Sequence, residues 1–207
     1  MKNQVYYWCV LVCAMLSVSC SDRTSVTQKQ PADTALAKSS VDTGALRTLI
    51  VPGERLGHLT LGLNADSVEP LLGMPDASDA AMGKAWLTWK GKENSSKPSQ
   101  LQIYTTYKDT SMSVKTVQQI RTTSPFFKTS TGLHVGSTLA LLKATFPQLQ
   151  KTGNYTEGGL RYQLYDAVAA GIAFEMKEGV CTGILVHLKG RRADDIYIML
   201  HPDMKRL

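Results

Sequence analysis

Aromatic residues are scarce in this chain, 7% of 207 positions, and cysteine is concentrated at one end. Cys9, Cys13 and Cys20 all precede residue 21, which leaves Cys181 as the single thiol of the remainder. One thiol forms no intramolecular disulfide, and a chain of this length can bury a core large enough to fold without covalent staples. No apolar run reaches the roughly 20 residues that a membrane-crossing helix needs. The sequence also lacks a Gly-rich phosphate loop ending in Lys-Ser/Thr, an HExxH pair and a GxSxG elbow, so the familiar signatures of nucleotide, zinc-protease and serine-hydrolase chemistry are missing. Neither a cofactor nor a metal site is expected. The basic surplus, 23 Lys and Arg against 17 Asp and Glu, is scattered from Arg47 and Lys84 through Lys115 and Arg161 to Arg206. With no basic stretch interleaved by aromatics, it reads as a solvated surface and not as a nucleic-acid interface.

What is present begins at the N-terminus. Lys2 is the only charged residue before Asp22, residues 5–18 are apolar, and Ser17-Val18-Ser19-Cys20 is a small-residue run. A basic start followed by a short apolar stretch of this kind is an export signal, too short to span a bilayer. Its end resembles the lipobox of bacterial lipoproteins, with Ser17 where that family prefers Leu and Leu16 one place earlier. The resemblance implies cleavage before Cys20 and diacylation of its sulfur. Residues 1–19 are then a signal peptide and 20–46 a lipidated cysteine with a tether. The tether reads DRTSVTQKQPADTALAKSSVDT over 22–43, too poor in large apolar residues to order itself.

The remainder carries an internal repeat. Leu59-Thr60-Leu61-Gly62 is followed by Val68, Leu71 and Leu72 before Gly73-Met74-Pro75, and Leu133-His134-Val135-Gly136 by Leu142, Thr145 and Phe146 before Pro147. Each copy predicts a short extended piece, a glycine turn and an amphipathic helix. Asn64-Ala65-Asp66 or Ser137-Thr138 supplies the N-cap, and Gly73 or Pro147 the stop. Alternation then predicts strands. Leu160, Tyr162 and Leu164 share one face, as do Ile172, Phe174 and Met176, and then Ile184, Val186 and Leu188. In the first copy residues 85–90, 101–107 and 113–122 play the same part. Val114, Val117 and Ile120 break the period and predict a bulge or, against the Thr content, a helix. The expected fold class is α+β, two tandem related units (47–124 and 125–207), each a short helix followed by an antiparallel three- to four-stranded meander.

A lipid-anchored chain with this Leu-x-Leu/Val-Gly, helix and strand pattern resembles the tandem modules of the SmpA/OmlA and β-lactamase-inhibitor-like (BLIP-like) superfamily. Val51-Pro52-Gly53 through Gly57, Leu72-Gly73-Met74-Pro75-Asp76 and Asp79-Ala80-Ala81-Met82-Gly83-Lys84-Ala85-Trp86 resemble uncharacterised lipoproteins of Bacteroidota. The resemblance implies a non-enzymatic binding module that works by surface complementarity, and no interface residue transfers. Its setting would be the cell envelope, at the outer membrane, with the folded part periplasmic or surface-exposed and an envelope protein or glycan as partner.

Candidate site residues fall into several groups. Trp86, Trp89, Tyr104 and Tyr107 are placed by alternation so that each pair splits between the two faces of a sheet, giving either an open aromatic binding surface or one covered by the other repeat. Asp76, Asp79 and Lys84 are expected in the loop after the first helix, where they suit acid-base work, cation binding or plain turn chemistry. His58 and His134 precede the two helices at related positions and would meet only across an interface of the copies. Cys181 and His187 sit six residues apart on one expected strand, about 20 Å along one face, too far for a nucleophile-base dyad. Cys181 is therefore expected to be a small buried hydrophobe. Two rivals to the binding reading are a hydrolase or transferase acting on envelope material and a purely structural envelope lipoprotein.

Overall fold

The computed structural model describes residues 43–93, 98–196 and 198–207. The expected signal segment, Cys20 and nearly all of the expected tether lie outside the described residues. The described residues begin with α1 (Thr43–Thr48), a helix within which the expected boundary at residue 46 falls.

The architecture is mixed and mostly antiparallel sheet, with short helices. A small sheet has the order β3-β2-β1-β8. It contains β1 (Leu49–Val51), β2 (Arg55–Leu56), β3 (Leu59–Thr60) and β8 (Lys128–Thr129), with β1 parallel to β8. The large sheet comprises β4 (Ala77–Ala81), β5 (Lys84–Lys90), β6 (Gln100–Tyr107), β7 (Lys115–Thr122), β9 (Gln150–Glu157), β10 (Leu160–Ala167), β11 (Ile172–Lys177), β12 (Val180–His187) and β13 (Lys205–Arg206). Its order is β13-β9-β10-β11-β12-β7-β6-β5-β4. Two four-stranded meanders, β4 to β7 and β9 to β12, thus join through their last strands.

The helices form where the capping residues place them. Asn64 Oδ1 accepts from Asp66 N at 3.0 Å and starts a 3-10 turn that runs into α2 (Val68–Leu72), which Gly73 ends at φ 79°. Thr138 Oγ1 accepts from Leu141 N at 3.4 Å at the start of α3 (Leu139–Thr145), which stops before Pro147. The residues before each helix are tied to a last strand in the same way. Gly62 N and Leu63 O bond Val117, while Gly136 N and Ser137 O bond Cys181.

Three expectations about strands are corrected. Residues 77–81 form the strand β4 and not a loop, and β9 precedes the three strands expected in the second copy. Neither Ala-Ser-Asp-Ala-Ala nor Gln-Lys-Thr-Gly-Asn-Tyr-Thr-Glu carries apolar alternation; each is held by its neighbour through a two-residue turn. At Met82-Gly83 and Gly158-Gly159 both central residues are left-handed, the type I′ geometry whose twist matches paired strands. The extended piece expected at Leu133–Gly136 is also absent as a strand; those residues form irregular turns.

One face of the large sheet carries Ile103, Val117, Ile120, Ile172, Phe174, Met176, Ile184 and Val186. These pack with Val68 of α2, Leu142 of α3 and Ile50, Leu56 and Leu59 of the small sheet in one buried cluster. The expected bulge is present. Tyr104 pairs with Gln119 and Thr105 with Val117, so the unpaired Gln118 restores Val117 and Ile120 to the same face despite their odd spacing. A second bulge leaves Thr182 unpaired, since Glu175 pairs with Gly183 and Met176 with Cys181. It reverses the parity of β12, so Cys181 and His187 lie on opposite faces and not on the one face their even spacing implied.

Candidate functional site

The opposite face of the large sheet is polar at its centre. Strict alternation brings Gln102 and Tyr104 of β6, Gln119 and Arg121 of β7, Glu175 of β11, His187 of β12, Asp166 of β10 and Tyr155 of β9 to this side. All are buried. Charges withdrawn from water in this way persist only when paired and hydrogen-bonded.

Arg121 and Glu175 form that pair at the centre. Nε donates to Glu175 Oε1 at 2.9 Å and Nη2 to Oε2 at 2.5 Å, a bidentate contact, while Nη1 donates to Gln102 Oε1 at 2.5 Å. His201 Nε2 lies 3.0 Å from Glu175 Oε1. Burial by itself would raise the Glu175 carboxyl, but the guanidinium of Arg121 and the His201 contact outweigh it and hold the group down at about 2. Burial likewise disfavours the charge on Arg121, and Glu175 overrides it and raises the guanidinium further. Gly183 makes room for this pair, since a Cβ there would meet Glu175 Oε2 at 2.3 Å. Tyr155 stacks on Tyr162 (5.0 Å between centroids) and on His201 (3.7 Å). Its hydroxyl is buried near Glu175 without closing a hydrogen bond of good geometry, and desolvation together with that carboxylate pushes the phenol far up.

The chain after β12 covers this face. Gln119 Nε2 donates to Ala193 O at 3.1 Å, Ala193 N to Asp166 Oδ2 at 2.8 Å, and Trp86 Nε1 to Ile198 O at 2.9 Å. Asp166 Oδ1 lies 3.1 Å from His187 Nε2. Leu164, Ala173, Leu185 and Ala193 make a small apolar cluster beneath Met204, and β13 then closes on β9.

The predicted site residues divide accordingly. Trp86 and Tyr104 are neighbours at 5.2 Å and are buried under this C-terminal segment, which lies within the expected second unit, 125–207, so they form no open aromatic surface. Trp89 is on the other face, half-buried against the main core, with Nε1 donating to Gly73 O at 3.1 Å. Tyr107 and Lys84 meet Arg191, His187 and Asp195 around a cavity of about 290 Å³. Asp76 and Asp79 are exposed. Asp76 accepts from Lys90 N at 2.7 Å, which is turn chemistry, and Asp79 lies on β4 opposite Trp86. His134 is engaged locally with Gly132 O at 2.9 Å, and His58 is exposed. Cys181 is buried, its Sγ 3.4 Å from Gly183 O, and desolvation raises its thiol to about 12. Such a thiol is almost wholly protonated near neutrality and is a poor nucleophile. Among the described residues no group of three or more His, Cys, Asp or Glu side chains is placed to hold a metal ion, and no helix is long and apolar enough to cross a membrane.

Beside the Arg121–Glu175 pair the surface opens into a groove of about 590 Å³. Tyr155 and Tyr162 line it, Glu157 and Lys177 contribute charges of both signs, and Pro98 and Pro125 line it further. Sequence reading missed this site. The available signal was Glu175 within Ile-Ala-Phe-Glu-Met, a nearly continuous apolar run that marks a strand buried on both faces and therefore requires a cation opposite the carboxylate. Which cation it is depends on strand order. No family model, curated protein or solved structure matches the chain.

Proposed function

We propose that the chain is an exported lipoprotein, acylated at Cys20 and held at the outer membrane, whose folded part binds an envelope protein or glycan and performs no chemistry on it. The groove of about 590 Å³ carries this reading. Its floor is a bidentate ion pair, with both Glu175 oxygens and each Arg121 nitrogen engaged in at least one hydrogen bond. Rigid charges of this kind orient a ligand and do not exchange protons with it. Charges of both signs at the opening, Glu157 and Lys177, suit a polar chain such as a peptide or an oligosaccharide. We further read the folded part as two related helix-plus-meander units joined through β7 and β12. The equivalent ties of Gly62 and Gly136 to the last strands support this, as do the bulges one residue beyond Val117 and Cys181.

The test places a photoreactive residue at Pro125, an exposed position in the groove lining, in the acylated chain in native membranes. A discrete adduct is expected, and it is expected to vanish when Lys177→Glu and Glu157→Lys together exchange the rim charges. An adduct pattern indifferent to that exchange removes the groove from consideration. Intact mass of the mature chain tests the anchor separately: a diacylglyceryl group on Cys20 is expected, and a retained Met1 refutes it.

A further inference from the structure

Two of the three non-glycine residues that the described chain holds at positive φ are methionines, Met82 at 49° and Met112 at 52°. That conformation costs a long side chain energy that Asn or Gly avoids, so neither methionine serves its own turn. Nor does either serve the core, since Met82 is 75% exposed and Met112 64%. Strain and exposed apolar surface at the same two positions mark a contact made outside the fold.

The strand ladder puts both at one end of the large sheet. Met82-Gly83 joins β4 to β5, and residues 108–114 join β6 to β7. A Cβ on Gly83 would meet the Tyr107 ring, and Lys108 N donates to Val114 O at 2.9 Å where β6 runs out into its loop. The turn therefore lies beside the loop, which also exposes Val114. The segment after β12 reaches the same end, because Lys84, Tyr107 and Arg191 line one cavity. Met74 is as exposed as Met82, at 78%, but it precedes β4 at the opposite end, where Ala77 pairs with Thr88. Cations accompany the apolar tips: Lys84, Lys108, Lys115 and Arg191, with Lys115 Nζ 5.2 Å from the centre of the Tyr107 ring. Lys189 answers Glu54 at 3.8 Å. The acids nearby are Asp195, Asp66 on the 3-10 turn bridged to Thr116, and Asp109, which the Ser111 amide engages at 2.9 Å. The balance at this end is positive.

We infer that this end of the sheet is a membrane-docking surface and that its occupant is an anionic phospholipid bilayer. Met82, Met112 and Val114 enter the boundary between headgroups and acyl chains, Tyr107 lies at headgroup level, and the cations meet lipid phosphates. Separate apolar tips set among lysines present no continuous surface for a shaped partner to cover, whereas a fluid charged layer accommodates each tip on its own. Unbranched methionine, which adapts its shape to its surroundings, suits that layer. The inference rests on the anchored reading for one thing alone, that a bilayer stands within reach of the folded part; it does not involve the groove.

The full chain is added to preformed vesicles and oxidised with dilute hydrogen peroxide, and each methionine is read by mass spectrometry. Conversion of an exposed thioether to its sulfoxide reports contact with water, and Met74 is the internal control. On vesicles containing phosphatidylglycerol, Met82 and Met112 are expected to oxidise several-fold more slowly than on phosphatidylcholine alone, with Met74 equal on both. Added salt is expected to lessen the difference. Lys108→Glu together with Arg191→Glu is expected to abolish it with unchanged circular dichroism. Met82→Asn is expected to raise the urea midpoint and yet to reduce the protection of Met112, because the native side chain serves the bilayer and not the turn. Flotation separates the failures. A chain that floats with neither vesicle refutes the anchor and the docking together. A chain that floats while Met82 and Met112 oxidise equally fast on both vesicles refutes the docking alone and leaves these tips to a protein partner. Protection that persists in the charge-reversed variant would also overturn the assignment.

Discussion

At the residue scale, the centre of the molecule is set by a buried charge on Glu175 that Arg121 and, after it, His201 relieve. The Glu175 carboxyl stands near 2, against 4.5 for an ordinary glutamate. Because it is lowered in the folded state, its stabilising contribution is complete above about pH 4.5 and is lost as pH falls through 2. The shift corresponds to on the order of 3 kcal/mol between those limits. Urea unfolding of native and Glu175→Gln proteins at pH 7 and pH 3 should show this. The variant is expected to be less stable at pH 7 by about 3 kcal/mol, since it leaves Arg121 buried without its anion, and to lose less on acidification than the native protein does. An identical pH response in the two proteins would place the acid sensitivity elsewhere. The nature of the residue at 175 was open to reading, since a carboxylate inside Ile-Ala-Phe-Glu-Met must be paired. Its partner was not, because Arg121 is 54 positions away in the chain.

At the scale of elements, capping and turn chemistry explain where the helices and hairpins stand. The 3-10 turn that leads into α2 and the helix α3 begin at cap residues the sequence offers, Asn64 and Thr138, and α2 and α3 end at Gly73 and before Pro147. Strands β10 and β11 keep their alternation, and β12 keeps it beyond the Thr182 bulge. The strands that escaped notice, β4 and β9, have no alternation of their own and exist because a neighbour supplies the ladder. Turn geometry also leaves room for improvement. Glu178 is held at φ 51° beside Gly179 at φ 80°, and it is exposed. Replacing Glu178 by Asn, which tolerates the left-handed region and favours the type I′ turn, is expected to stabilise the protein by about 0.5–1 kcal/mol, read as a higher urea midpoint at constant slope. A lower midpoint would mean that the Glu178 side chain makes a contribution beyond the turn.

For the whole molecule, the C-terminal segment has the decisive part. It lies over Trp86, Tyr104 and the Asp166–His187 and Arg121–Glu175 pairs, and of the two alternatives that alternation left for this aromatic face, open or covered, it makes the covered one. Deleting residues 196–207 removes Ile198, His201 and Met204 and is expected to red-shift tryptophan emission as Trp86 meets water. A stability loss on the order of 3 kcal/mol should accompany it, from apolar area and hydrogen bonds lost together. Unchanged emission would show that the face is covered by something else. The local features, namely the helix caps, the three regular strands of the second meander, the first bulge and the burial of Cys181, were determined by the sequence itself, because each depends on residues within a few positions of one another. Only the tertiary structure decided that the two meanders join at β7 and β12, that the Thr182 bulge parts Cys181 from His187, and that residues 188–207 close the second face. Those outcomes depend on strand order and on contacts between distant segments, and periodicity along a chain records which side of a strand is buried but not what buries it.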